Sequence, residues 1–228
     1  MILDETSLAT TIDNLDDAWF YDKQLADDER RQVALWLAGR QGLKGSYQGM
    51  FAPTPRDFES PIRLFSGHVI KTGASKTHVL GEETLRALIK LNIKDETVER
   101  ALKRGRRAMD SVIARDEKER KINHLGFFCC PTCSSAYWRA MTVGALSKLK
   151  ERLTAGMRIL RQSRTGTGRW KRFPFFYTLM VLSEMDRDLA GEELEYAGMA
   201  INRFLSRKPA DDFYSRRRRE IAERILSL

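Results

Sequence analysis

The three cysteines of this 228-residue chain, Cys129, Cys130 and Cys133, lie within five positions of one another, in the stretch GFFCCPTCSSAYWRA. Two thiols spaced as in Cys130-Pro131-Thr132-Cys133 can chelate zinc or cycle as a dithiol, because a helix starting at a proline stabilises a thiolate at its N-terminus. Tetrahedral zinc needs two further donors. The sequence offers no second cysteine pair, and its imidazoles are His68, His78 and His124. A zinc site on Cys130, Cys133 and His124 is therefore the weaker alternative. The strand-helix alternation that surrounds a thioredoxin-type dithiol is also missing. Packing or cavity lining, with no cofactor, is the first expectation for the cluster.

The elements that position these residues show themselves as a repeat. ERLTAGMRILR recurs 42 residues later in EELEYAGMAINR, so that Ala155-Gly156-Met157 matches Ala197-Gly198-Met199. The same spacing carries Gly126 and Phe128 onto Gly168 and Trp170, and Cys130 and Cys133 onto Arg172 and Phe175. Earlier copies are ERALKRGRRAMDSVIA, with Gly105, and RQVALWLAGRQGLKGSY. Each copy reads as two helices. The second is amphipathic, with apolar residues stepping by three and four, as at Leu149, Leu153, Met157 and Leu160. The first, as in CSSAYWRAMTVGAL and FFYTLMVLSEM, is apolar nearly all round and belongs inside. Pro131 and Pro174 mark where these inner helices start, and Asp95 is an N-cap candidate.

Residues 43–80 depart from the pattern. Ser66-Gly67 divides two strand-like stretches, predicting a small β-hairpin near 61–72, inserted before an inner helix that begins at about Leu80. Residues 1–24 read as an acidic tail or loosely docked arm, leaving 25–228 as a single helical-repeat domain. Residues 1–30 carry a net −7 and the remainder +16. A basic body could hold nucleic acid or another anion, but its bases are scattered along helices, where a solvated face needs no partner. YSRRRRE, at 214–220, is the one true run. No apolar stretch is long enough to span a bilayer and the N-terminus does not resemble a signal peptide, so a cytoplasmic setting is expected.

The motif Gln-x3-Gly-x-Tyr in QGLKGSY, and its expanded form in QSRTGTGRW, resembles the Gln-x3-Gly-x-Trp repeat of squalene and other terpenoid cyclases, whose α/α-toroid fold protein prenyltransferase β subunits share. The resemblance covers roughly residues 30–206. It implies an all-α fold of repeated helical hairpins forming a partial α/α toroid, with inner helices around a cavity. The cyclases' Asp-x-Asp-Asp motif and the prenyltransferases' Asp-x-Cys zinc motif are both missing, so no catalytic residue carries over. With four to five hairpins the arc should stay open.

The leading functional expectation is an apolar or isoprenoid-like small molecule with an anionic head, bound between inner helices by His78, Cys130, Cys133, Trp138, Arg172, Phe175 and Tyr177. An interaction scaffold for a protein or nucleic acid, and a zinc or redox centre on Cys130 and Cys133, are the alternatives. Gly156 and Gly198 are expected to occupy equivalent close helix contacts.

Overall fold

The computed structural model describes residues 1–120, 125–208 and 210–227. Within them lie ten helices: α1 (Leu8–Phe20), α2 (Asp27–Gly39), α3 (Arg56–Glu59), α4 (Gly73–Leu91), α5 (Glu96–Arg120), α6 (Pro131–Thr142), α7 (Leu149–Gln162), α8 (Phe175–Ser183), α9 (Arg187–Leu205) and α10 (Phe213–Leu226). The predicted β-hairpin is present as β1 (Ile62–Arg63) and β2 (Val69–Ile70), antiparallel, with Ile62 opposite Ile70. No helix among the described residues is long and apolar enough to cross a membrane.

Hydrophobic patterning sorts the helices as read from sequence. α4, α6 and α8 are buried on nearly every side, whereas α7 buries one stripe through Leu153, Gly156, Met157 and Leu160. α4 begins earlier than expected, because Thr72 caps it by accepting the Ser75 N–H at 3.2 Å. Pro131 opens α6 and Pro174 is the N-cap of α8, where a missing amide proton costs nothing. Asp95 accepts the Thr97 N–H at 2.9 Å at the head of α5.

The three buried helices touch in sequence, α4 on α6 and α6 on α8, with α1 packed on α4 and α10 on α8. α10 then returns to α1 through Arg217, which pairs with Asp13 and Asp17 at 2.9 Å, and through Tyr21 with Glu220. The first and last helices are thus joined to each other. Residues 1–24 correspondingly are not a loosely docked acidic arm. Leu8, Leu15 and Ala18 are fully buried, and the buried carboxylate of Asp57 receives the Leu8 and Ala9 N–H groups and the Ser7 hydroxyl at the start of α1. The acids of α1 are partners for internal arginines.

The arginine run is absorbed in the same way. Arg217 is buried, Arg218 donates to the carbonyls of Ser66 and Gly67, and Arg219 donates to that of Leu205.

The repeat is closest in its glycine turns and weakest in its outer helices. A Cβ at Gly126 would sit 2.3 Å from the backbone of Ala155 and Gly156, and one at Gly168 2.8 Å from that of Ala200. Both turns therefore rest on the following outer helix. Gly156 packs against the Trp138 indole, with 2.5 Å left for a Cβ, but Gly198 faces open space and Met199 is 49% exposed. The expected equivalence of Gly156 and Gly198 fails, because α9 buries Ala197 and Ile201 in place of the Gly-Met pair.

Candidate metal centre

α4 and α6 carry the site. His78 stands in the second turn of α4, and the turn before α6, with Cys129 and Cys130, and the first turn of α6, with Cys133, lie against it. Cys129 adopts φ +55°, a left-handed conformation that a non-glycine residue accepts at some cost and that often marks functional turns. Cys130 is the N-cap of α6, its sulfur accepting the Cys133 N–H at 3.5 Å.

His78 Nδ1 lies 3.7 Å from Cys133 Sγ, and Cys133 Sγ lies 3.5 Å from Cys130 Sγ. The donor atoms of His78, Cys129 and Cys133 all fall within 4.8 Å of one another. In tetrahedral zinc, bonds of about 2.3 Å to sulfur and 2.0–2.1 Å to nitrogen place neighbouring donors roughly 3.5–3.8 Å apart. The three donors are thus within small side-chain rotations of a coordination sphere. His78 and Cys133 are buried and Cys129 is exposed, so the group lies at the edge of the core. Tyr47 lies across the His78 ring at 3.9 Å between centroids, and Phe128 is 5.4 Å away.

The thiols hydrogen-bond one another. Hydrogen bonds from Cys129 and Cys133, and then from the backbone at the α6 N-terminus, hold Cys130 far below the ordinary thiol range. The same bonding with Cys130 pushes Cys129 up, and hydrogen bonding to Cys129 and Cys130 together with burial pushes Cys133 up.

Behind the thiols stands Glu82, one helical turn from His78 and on the same face of α4. It is 1% exposed, and neither carboxylate oxygen has a hydrogen-bond partner among the described residues. Burial, then the charges of Glu83 and Cys130, raise its pKa well above the usual carboxylate range. A buried carboxylate without donors is unstable as an anion unless a cation or proton meets it.

Of the residues singled out from sequence, the structure brings together His78, Cys130 and Cys133. It does not bring the others to them. Trp138 is fully buried, stacked on Phe173 at 5.4 Å between centroids and donating its Nε1–H to the Gly126 carbonyl. Tyr177 donates to Glu83, Phe175 packs on Trp170, and Arg172 is exposed. The void touching Phe175 and Tyr177 measures about 70 Å³, too small for an apolar ligand of any size. His124 lies outside the described residues. Sequence reading missed Cys129 and Glu82, although the spacing in HVLGE, a histidine and a glutamate four apart on a helix otherwise destined for the core, was available as a signal.

The larger polar feature it missed lies further along α4. Arg86 and Arg139, both nearly inaccessible, meet Asp16, Glu83 and Glu184. Arg139 binds Asp16 at 2.6 Å, Glu184 at 2.7 Å and Glu83 at 3.2 Å. Burial alone would raise Asp16 and Glu184, but Arg139 and Arg86 outweigh it and hold both below the usual range. This cluster is internally satisfied, apart from Arg86 Nε.

Comparison with protein-family models, with curated proteins and with solved structures returned no match.

Proposed function

We propose that this chain is a zinc protein of helical-repeat architecture, binding one ion through His78 Nδ1, Cys129 Sγ and Cys133 Sγ, with Glu82 as the carboxylate facing the ion. The observation that carries the reading is the convergence of three donor atoms within 4.8 Å, backed by a buried carboxylate that has no partner. Thiolate and imidazole together favour zinc over magnesium or calcium, which take oxygen ligands. Cys129 and Cys133 must lose their protons to bind, so affinity should rise with pH. Cys130 stays outside the coordination sphere as the helix cap.

The circuit of buried helices supports the α/α-toroid reading, and with it the likeness to terpenoid cyclases and prenyltransferases. That likeness supplies no reaction, because neither family's catalytic motif is present in the sequence.

Elemental analysis of protein purified without chelator tests the proposal. About one zinc per chain is expected, lost in Cys133→Ser and in His78→Ala. Metal-free protein that fails to take up added zinc, or zinc retained in both variants, would overturn it.

A further inference from the structure

A second site lies at the other end of α4, independent of the metal reading. A cleft of about 400 Å³ opens among Asp16, Trp19 and Phe20 of α1, Lys90 of α4, Arg139 of α6, Met180 of α8, Glu184 and Arg224. That volume is in the range of small-molecule sites, roughly 300–1,000 Å³.

The charges on its walls differ in what they are already bound to. Asp16 and Glu184 each accept from both Arg86 and Arg139, at 2.6–3.1 Å, so neither carboxylate is open to a ligand cation. Arg224 donates to the Phe20 carbonyl and covers the Phe20 ring at 4.0 Å. Lys90 alone is uncommitted. Its ammonium sits 4.1 Å from the Trp19 ring centroid, with no hydrogen bond or ion pair among the described residues. The cleft therefore presents one available positive charge beside an aromatic and aliphatic wall.

We propose that this cleft binds a small monocarboxylate with an apolar body, its carboxylate on Lys90 and its body against Trp19, Phe20 and Met180. A monoanion fits better than a phosphate dianion because the carboxylates of Asp16 and Glu184 share the wall and repel a second charge. Trp19 adds a flat apolar surface that a ligand reaches without displacing the ion cluster beneath. The field of the site agrees. Desolvation around the amine and the cations Arg86 and Arg139, opposed by Glu184 and Asp16, bring the Lys90 amine down to about 8 although the residue as a whole is exposed, and an arriving anion relieves that stress.

Titration with octanoate, followed by calorimetry and by the Trp19 indole resonance, tests the site. Octanamide and octylammonium serve as the uncharged and cationic twins. Octanoate should bind and shift the Trp19 signal, with both twins at least about tenfold weaker. Lys90→Met should weaken octanoate by about tenfold or more, and Lys90→Arg should restore it to within a few-fold. Octanoate that does not bind at millimolar concentration, octanamide that binds as tightly, or a Lys90→Met variant with unchanged affinity would each overturn the proposal. Removing zinc, or Cys133→Ser, should leave octanoate binding in place, which separates failure here from failure of the metal site.

Discussion

Glu82 and Glu83 are adjacent in sequence, both 1% exposed on α4, and they point into two different kinds of polar interior. Glu83 accepts from Tyr177 and from Arg139, inside a cluster where two guanidiniums meet three carboxylates. Glu82 accepts from nothing, and the charges that act on it are those of Glu83 and Cys130. Burial raises the pKa of both, Glu82 well above its usual range. What separates them is satisfaction. The ion cluster is complete as it stands, whereas the Glu82 carboxyl has no partner and burial favours its protonated form. Deep burial of charge therefore does not by itself identify function; an unanswered charge does.

The largest effect should come from breaking the complete side. Arg139→Met removes the group that touches Asp16, Glu83 and Glu184 at once and leaves three carboxylates facing Arg86 alone. Loss of one partner from a buried ionic cluster costs about 3–5 kcal/mol, so denaturant unfolding should show a loss of that size. A change below about 1 kcal/mol would mean that the cluster is hydrated and that the contrast with Glu82 is one of degree.

The two glutamates should next respond with opposite signs. Glu83→Leu leaves the Tyr177 hydroxyl and an Arg139 donor without an acceptor, at a cost of about 1–3 kcal/mol. Glu82→Leu orphans nothing and removes an unpartnered carboxyl, so zinc-free protein should gain about 1 kcal/mol or more. The same substitution should weaken zinc binding about 10- to 100-fold, as loss of a group facing a bound metal does. Chemical denaturation of both variants, with and without zinc, gives the four numbers needed. Equal signs in the zinc-free protein would remove the basis for treating Glu82 as special.

How much of this was legible beforehand follows from the range of each interaction. The alternation of buried and amphipathic helices is written in local periodicity, so the inner helices, the hairpin at 61–72 and the turn leading into α6 were readable. The association of His78 with Cys133 spans 55 residues and depends on which faces of α4 and α6 meet, which no periodicity encodes. Glu82 and Glu83 were not singled out, because composition cannot show which partners a buried charge will find or lack. The N-terminal acids misled for the same reason: Asp13, Asp16 and Asp17 find arginines on α6 and α10, up to 204 residues away. Gly156 and Gly198 share a local string but not a neighbour, since Trp138 faces the first and nothing faces the second.

A pH series should set the two regions against each other in one measurement. Asp16 and Glu184 are depressed in the folded state, so their stabilisation is present above the ordinary carboxylate range and is lost as pH falls through their folded pKa values. Glu82 is raised, so the folded chain holds its proton more tightly than the unfolded chain does. Its term favours folding in acid and fades as pH climbs from the ordinary range, near 4.5, to its higher folded value. Zinc-free wild type should therefore lose stability at both ends of an acid-to-neutral series, and Glu82→Leu should lose less at the upper end, where Glu83 and Asp13, also raised by burial, still contribute. Each unit of pKa separation is worth about 1.4 kcal/mol. An unchanged upper limb in Glu82→Leu would show that Glu82 does not titrate there.

The smallest effect expected is the one that divides ligand from cap. Cys130 and Cys133 form a Cys-x-x-Cys pair that looks symmetric, yet Cys130 Sγ is occupied by the Cys133 N–H and lies outside the group of donors that converge within 4.8 Å. Serine is a good N-cap, so Cys130→Ser should preserve the start of α6 and shift stability by no more than about 0.5 kcal/mol. It changes the cap beside the ion without removing a bond to it, so zinc affinity should fall only a few-fold. Cys133→Ser takes away a donor and should abolish stoichiometric zinc. Competition with a chromophoric chelator measures both constants on the same scale. If Cys130→Ser loses zinc as completely as Cys133→Ser does, the coordination sphere is built on the Cys130–Cys133 pair. Cys129 is then the outer thiol, its left-handed backbone serving the turn and not the metal.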